Sequence, residues 1–344
     1  MGLFDTSDVG IDLGTSSTLV YVGGKGIVLQ EPSVVAVERV TGKIVAIGEE
    51  ARKLMGRTPA NVVVIRPLRD GVVNNFDITA RMLHYFFKKV VGTRAFKPRV
   101  VVCVPSGVTE AEKRCVIEAT LEAGARYSYL IEEPLAAAIG AGVDITEGKG
   151  HMVVDIGGGT TDIAMISCGS IVLSDSIKMA GDKFDDALMR YMKRKHNLYI
   201  GERSAEDIKI AYGRAHVEKE QRVVDIRGRN VSSGLPESIP VGTNEMVDAL
   251  AEPLAAILER VRELFERVPP ELATDIADNG IVLTGGGALL AGLDAYFTDH
   301  VNVPCRAAED PVSCVARGTG IVLEDLKKYN SAIYDYRRGE YYEG

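Results

Sequence analysis

Three stretches of the chain share one pattern, a β-rich apolar run that ends in a turn of small or hydroxyl-bearing residues. The first is Asp8-Val9-Gly10-Ile11-Asp12-Leu13, then Gly14-Thr15-Ser16-Ser17, then Thr18-Leu19-Val20-Tyr21-Val22. The second is His151-Met152-Val153-Val154-Asp155, then Ile156-Gly157-Gly158-Gly159-Thr160-Thr161-Asp162, then Ile163-Ala164-Met165-Ile166. The third, Gly280-Ile281-Val282-Leu283-Thr284, opens onto Gly285-Gly286-Gly287. Run, acid, polar turn and second run predict a β-hairpin in the first two cases. Asp12 and Asp155 take matching places before the tips. One repeat at so long an interval suggests two similar lobes rather than a solenoid.

Helical segments with readable ends lie between these runs. Asp77 is expected to cap a helix carrying Met82, Leu83, Phe86, Phe87 and Val90, which stops near Gly92. Thr109 with Glu112 forms a capping box, and Gly124 ends that helix. Glu132-Glu133-Pro134 puts proline at a first helical position, before Leu135-Ala136-Ala137-Ala138. Ser204 is expected to cap the segment with Glu206 and Lys209, and a long amphipathic helix to run from about Asn244 to Arg267, ended by Pro269-Pro270. Strands alternating with helices make the fold α/β.

At 344 residues the chain exceeds one ordinary core, so two domains are expected. The five cysteines (Cys103, Cys115, Cys168, Cys305, Cys314) form no CxxC pair, and read as reduced core thiols of a cytosolic protein. A net charge of −8 argues against a protein that binds nucleic acid by neutralising phosphates. The N-terminal apolar run breaks at Asp5, which argues against a signal peptide, and no stretch reaches the length of a membrane span. A soluble protein is expected, free to lie on a membrane surface.

A triphosphate needs backbone N–H groups that approach its oxygens and a cation held by carboxylates. Gly14-Thr15-Ser16-Ser17 and Gly157-Gly158-Gly159-Thr160-Thr161 suit the first need. Asp12 and Asp155 suit the second, because Mg²⁺ keeps most of its waters and takes few carboxylates. Either turn alone reads equally as an ordinary tight turn; two with the same preceding acid, plus a third Gly-Gly-Gly, favour the phosphate reading. Neither GxxxxGK[ST] nor GxGxxG occurs, which argues against Walker-type NTPases and dinucleotide oxidoreductases.

Asp12-Leu13-Gly14-Thr15, Glu133-Pro134, Asp155-Ile156-Gly157-Gly158-Gly159-Thr160, Thr284-Gly285-Gly286-Gly287 and Gly318-Thr319-Gly320 resemble, in order, the five motifs of the actin/Hsp70/sugar-kinase superfamily. Within it, Gly26–Ala36, Ile65–Val72, Ile177–Asp185, Ala205–Lys209 and Val315–Gly320 resemble the bacterial MreB/Mbl actins. The resemblance implies an actin-like (ribonuclease H-like) fold, with two lobes of duplicated sheet-plus-helix domains around a nucleotide cleft. It implies four subdomains: 1–32, 77–141 and 318–344 (IA), 33–76 (IB), 142–180 and 246–317 (IIA), and 181–245 (IIB). It implies ATP and Mg²⁺ as ligands, with Asp12 and Asp155 near the metal, Glu133 orienting the attacking water and Thr160 assisting. Glu206 and Lys209 match the pair at the ribose and adenine, and Gly285, Gly286 and Gly287 the approach to the adenosine. A slow ATPase that polymerises with itself and organises cell-wall synthesis in rod-shaped cells is expected, with elongation proteins of the membrane as partners. A sugar or acetate kinase would need an acid for its acceptor hydroxyl outside the nucleotide motifs, and none stands out. An Hsp70-type chaperone would need a domain after Gly320, where 24 residues remain.

The same resemblance implies a cytoplasmic protein on the inner membrane face. Lys88, Lys89, Arg94, Lys97 and Arg99 surround Phe96, and anionic lipid contributes about 1 kcal/mol per nearby cation. Leu3 and Phe4 offer a second insertion point. A solvated basic turn with Phe96 packed inward fits these residues as well, and many relatives carry two adjacent large apolar residues where this chain has Ala95-Phe96. The helix from Thr109 to Gly124 resembles the one through which relatives pair protofilaments, and fits a plain amphipathic surface helix equally. The tail from Asn330, with Tyr334, Tyr336, Tyr341 and Tyr342 among charges, reads as an exposed extension.

Overall fold

A computed structural model describes residues 8–92 and 97–335, with the backbone of 340–341. Two sheets repeat one strand plan. In the first, an antiparallel meander (Gly26–Pro32, Ser17–Val22, Val9–Leu13) continues into the parallel strands Arg99–Val104 and Tyr127–Glu132. In the second, the meander Ser170–Ile177, Thr161–Ser167, His151–Ile156 continues into Ile281–Thr284 and Cys305–Ala307. Asp12 pairs across its hairpin with Leu19, and Asp155 with Asp162. The α/β fold with a duplicated sheet matches the expectation.

Strand alternation in the two large sheets divides most of the interior among three cores. Val100, Val102 and Val104 face a core shared with Met82, Leu83, Phe86 and Phe87, the apolar face of the helix Phe76–Val91. Val101 and Cys103 point the other way, into a core that also takes Ile131, Val153, Ala164, Ile166 and Val282. The near-continuous apolar runs of the central strands follow from burial on both faces. Met152, Val154 and Ile156 turn to a third core with Phe184, Leu188 and the long helix Glu245–Phe265.

The core that joins the sheets is filled by two short helices, Glu133–Gly140 and Cys314–Glu324. They cross with backbone in contact. A Cβ on Gly140 would overlap the carbonyl of Cys314, and one on Gly318 the carbonyl of Ala136. Only residues without a side chain permit this approach. Three smaller sheets complete the described structure: Val35–Glu38 with Ile44–Ile47 and Val62–Ile65, Leu198–Tyr199 with Val223–Asn230 and Pro236–Gly242, and the two-stranded pair Leu68–Arg69 with Val72–Val73.

Several ends differ from the expectation. Asn75, not Asp77, caps the helix Phe76–Val91: Asn75 is extended (φ −139°, ψ 102°) and its side chain accepts from the Ile78 N–H, while Asp77 lies in the first turn. Ser204 lies inside the helix Glu202–Tyr212, whose N-cap is Gly201. The long helix ends at Phe265, before the prolines, carries a buried Pro253 within it, and Pro270 begins a further helix to Asn279. The Thr109 capping box and the Gly124 stop are present as expected.

The tail is not wholly an exposed extension. Ile333–Asp335 adds a strand antiparallel to Tyr127–Glu132, with Ile333 fully buried and the Tyr334 hydroxyl donating to Glu110. All five cysteines are free, but only Cys103 and Cys314 are buried, and Cys168 is exposed on a turn at φ 51°.

Candidate functional site

A cleft of about 540 Å³ opens between the two hairpin tips. Asp12, Gly14, Thr15, Ser16, Ser17, Glu133, Asp155, Gly157, Gly158, Gly159, Thr160, Glu206, Lys209, Gly285, Gly286 and Gly287 all line it. These are the candidate nucleotide, metal and catalytic residues of the sequence, drawn from five separate segments. The membrane candidates Leu3, Phe4 and Phe96 lie outside the described residues.

The tips meet face to face. A Cβ on Gly158 would overlap the Ser16 hydroxyl, and one on Gly159 would press on Thr15. The first tip is held from behind: the Ser33 hydroxyl donates to the Gly14 carbonyl (2.7 Å), and the Ser33 N–H to the Ser16 carbonyl (3.0 Å). Gly71 N–H donates to the Thr15 hydroxyl (3.0 Å). The second tip is held by the helix Gly181–His196, whose first two N–H groups donate to the carbonyls of Gly157 and Gly158 (3.1 and 2.7 Å). Both tips thus spend backbone oxygens on support from outside the cleft.

Three carboxyls, Asp12, Glu133 and Asp155, line the cleft, and a fourth, Asp162, is fully buried near Glu133 and Asp155. Asp155 is buried, and its Oδ1 accepts from the Thr284 hydroxyl (2.7 Å). Asp12 accepts a weak bond from the Cys103 thiol (3.4 Å). Glu133, also buried, opens its helix beside Pro134. Asp162, fully buried, accepts from the Ser106 N–H (2.9 Å). Burial is the main cause pushing every one of them up, because ionising an acid away from water is costly. Asp12 rises to about 7, with Asp155 adding repulsion; Asp155 rises to about 6 against its bond from Thr284. Asp162 rises to about 7, and Glu133 well above the usual range through burial and then Asp162, Asp12 and Asp155.

Asp12 and Asp155 fit a hydrated Mg²⁺, a hard ion that accepts two carboxylates and keeps waters. Among the described residues no group of three or more His, Cys, Asp or Glu is set to hold a metal alone.

Part of the lining is apolar: Leu289 (63% exposed) and Ile210 (71% exposed) line the cleft together with Leu290, Val312 and Val315. Exposed side chains of this kind offer a face for a flat apolar ring. Lys209 lies within 3.0 Å of the Gly181 carbonyl and of both Asp185 oxygens. Burial raises Asp185 to about 7, more than Lys209 lowers it. Glu206 is paired across the cleft mouth with Arg52 (2.8 Å).

Sequence reasoning missed three features. Asp162 had a signal: seven positions past Asp155 in a hairpin, it is the cross-strand partner on the same face. Ser106 and Arg52 gave no signal, because each acquires its partner only through tertiary structure.

The comparisons agree with this architecture. The family model described as MreB/Mbl protein matches residues 6–331. The cell shape-determining protein Mbl of Bacillus subtilis (strain 168) is 51% identical over 322 residues, covering 93% of this chain and 97% of that one. The cell shape-determining protein MreB of Escherichia coli (strain K12) is 46% identical over 339 residues, covering 97% of each. MreB 5 of Spiroplasma citri bound to AMPPNP superposes with a TM-score of 0.90 at 38% identity, covering 94% of this chain and 98% of that one. A MamK double helical filament shares the fold, with a TM-score of 0.79 at 23% identity over 92% of this chain and 98% of that one. With the family model spanning nearly the whole chain and close relatives covered almost end to end, this protein belongs to the MreB/Mbl family of actin homologues.

Proposed function

We propose that this chain binds ATP with Mg²⁺ in the cleft, hydrolyses it slowly, and forms filaments that determine cell shape. The observation that carries the reading is the convergence of two acid-bearing hairpin tips and a glycine turn on one cleft. A solved relative at 38% identity was bound to AMPPNP and, in a second structure, to ADP. Two relatives near half identity bear the name cell shape-determining protein.

In this reading the N–H groups of the two tips receive the phosphates, as turns without bulky Cβ atoms do. Asp12 and Asp155 hold the Mg²⁺. The bound ion offsets the charge that develops on phosphate oxygens. Glu133 orients the attacking water, with the Thr160 hydroxyl beside it. Leu289, Ile210 and Val312 face the base, and Glu206 and Lys209 serve the ribose and adenine. The four-subdomain division given above is retained, supported by the separate small sheets and by the compact core of Val34, Ala36, Ala51 and Val62. Leu3, Phe4 and Phe96, with the basic residues around Phe96, attach the filament to anionic membrane, where it organises wall synthesis with elongation proteins. Among the described residues no helix is long and apolar enough to cross a membrane.

Electron microscopy of the purified protein with ATP and Mg²⁺, with and without anionic vesicles, tests the reading. Filaments that need nucleotide and collect on vesicles are expected. Protein that takes up no ATP in calorimetry would overturn it, and undiminished vesicle binding by Phe96→Asp would move the anchor elsewhere.

A further inference from the structure

Ser106 sits just past the strand Arg99–Val104 of the first sheet and is 4% exposed. It makes two bonds in opposite directions. Its N–H donates to Asp162 Oδ1 of the second sheet's hairpin (2.9 Å), and its hydroxyl donates to Glu132 Oε2 (2.9 Å). Glu132 closes the strand Tyr127–Glu132 and is the N-cap of the helix that Glu133 opens. One serine thus links the second hairpin to the residue whose backbone sets where Glu133 stands.

Asp162 is an expensive way to make such a link. It is fully buried beside the Glu133 carboxyl that it repels, and the bonds it accepts from Ser106, Thr160 and Ser176 offset only part of the cost of that burial. A neutral side chain would accept the Ser106 N–H without the cost of burying an acid. Residues retained at such a cost cluster where chemistry needs them.

We propose that Ser106 and Asp162 are positioning residues for hydrolysis: the chain Asp162–Ser106–Glu132 ties the second hairpin to the start of the Glu133 helix, so that relative movement of the two sheets sets the aim of Glu133. The inference rests on the nucleotide reading above and deepens it. When the hairpin carrying Asp155 and Asp162 shifts on the phosphates, Ser106 transmits that shift to Glu132, and Glu133 moves with its own helix terminus. Neither residue touches the nucleotide in this scheme.

The test uses the full chain and separates binding from turnover. Ser106→Ala removes the hydroxyl bond to Glu132 and leaves the backbone bond to Asp162. Calorimetric ATP affinity with Mg²⁺ and the melting temperature should stay near wild type, while single-turnover hydrolysis slows about 10- to 100-fold, the usual effect of small misplacement at a reacting centre. Glu132→Gln, which keeps an acceptor, should retain the rate. Glu132→Ala should lose it as Ser106→Ala does, and the double variant should be no slower than either, since both break one link. A wild-type rate in Ser106→Ala, or losses of affinity and rate in equal measure, would overturn this inference alone. A wild type that binds no ATP would overturn the nucleotide reading, and this one with it.

Discussion

At the scale of single residues the acids of the cleft floor dominate, and they give the protein a pH dependence with a definite sign. Asp12, Asp155 and Asp162 lie at about 7, 6 and 7 in the folded state, above their ordinary value of 3.8. A carboxyl raised on folding binds protons more tightly in the native state, so its contribution to stability is full below the unfolded value and is lost as pH rises through the folded one. Without nucleotide, the melting temperature should therefore fall between pH 5 and pH 8 by this effect. Acids lowered by partners, such as Glu31 beside Lys89 and Glu245 beside Lys195, act below that window. In the proposed site Mg²⁺ with ADP binds the ionised acids, so the gain in melting temperature on adding it should be larger at pH 8 than at pH 5.5. Scanning fluorimetry at both values checks this, and Asp12→Asn should flatten the apo profile. Glu133→Ala should leave ATP affinity within a few-fold and slow hydrolysis by roughly 100-fold or more, as loss of a water-positioning group does; unchanged turnover would remove Glu133 from its role.

Much of this was legible in the residues. Asp12 and Asp155 announced themselves because a hairpin needs its turn chemistry in contiguous sequence, and the acid before each tip falls in the same motif. The helix ends were legible to within a few positions, with errors that follow from geometry: Asn75 and Asp77 are both capping types, and only the extended backbone at Asn75 decides between them. Ile333–Asp335 was not legible as a strand because three residues carry too little alternation, and what recruits them is the free edge of Tyr127–Glu132. Arg52–Glu206 lay beyond reach, since the two are 154 positions apart with no pattern linking them.

At the scale of elements, the join between the sheets rests on the crossing of Glu133–Gly140 with Cys314–Glu324. The crossing is tight because Gly140 and Gly318 each abut a carbonyl of the other helix. Backbone cannot step aside as a flexible side chain can, so an added methyl must push the helices apart. Overpacking of this kind costs about 1–3 kcal/mol or more. Gly318→Ala should therefore lower the melting temperature by roughly 5 °C or more, and should disturb Glu133 because its helix is the one displaced. Gly148→Ala serves as the control, since it lies outside the cleft lining and a Cβ there meets only the Cys168 sulfur, at 3.8 Å. A Gly318→Ala variant as stable and active as the control would show that the crossing yields.

At the scale of the whole molecule, three ion pairs join opposite rims of the cleft: Arg52–Glu206 (2.8 Å), Arg66–Asp182 (3.0 Å) and Lys178–Asp70 (3.4 Å). Arg52, Arg66 and Asp70 come from one side, and Lys178, Asp182 and Glu206 from the other. Their side chains are between 27% and 70% exposed, so water and salt screen them. Individually such pairs are weak, and none would lock the cleft. Together they favour the closed arrangement in which the hairpin tips meet, and that arrangement must open for nucleotide to leave. Arg66→Ala removes one pair; Arg66 lines the cleft but is assigned no contact with the ligand. Losing about 1 kcal/mol of closure corresponds to about a five-fold faster release of a fluorescent ATP analogue. The same analogue should leave wild type faster in 0.5 M salt than in 0.05 M, with a smaller salt effect in Arg66→Ala. If release from the variant matches wild type at both salt concentrations, closure is governed by the tips and the bound ligand, and the rim pairs are incidental to it.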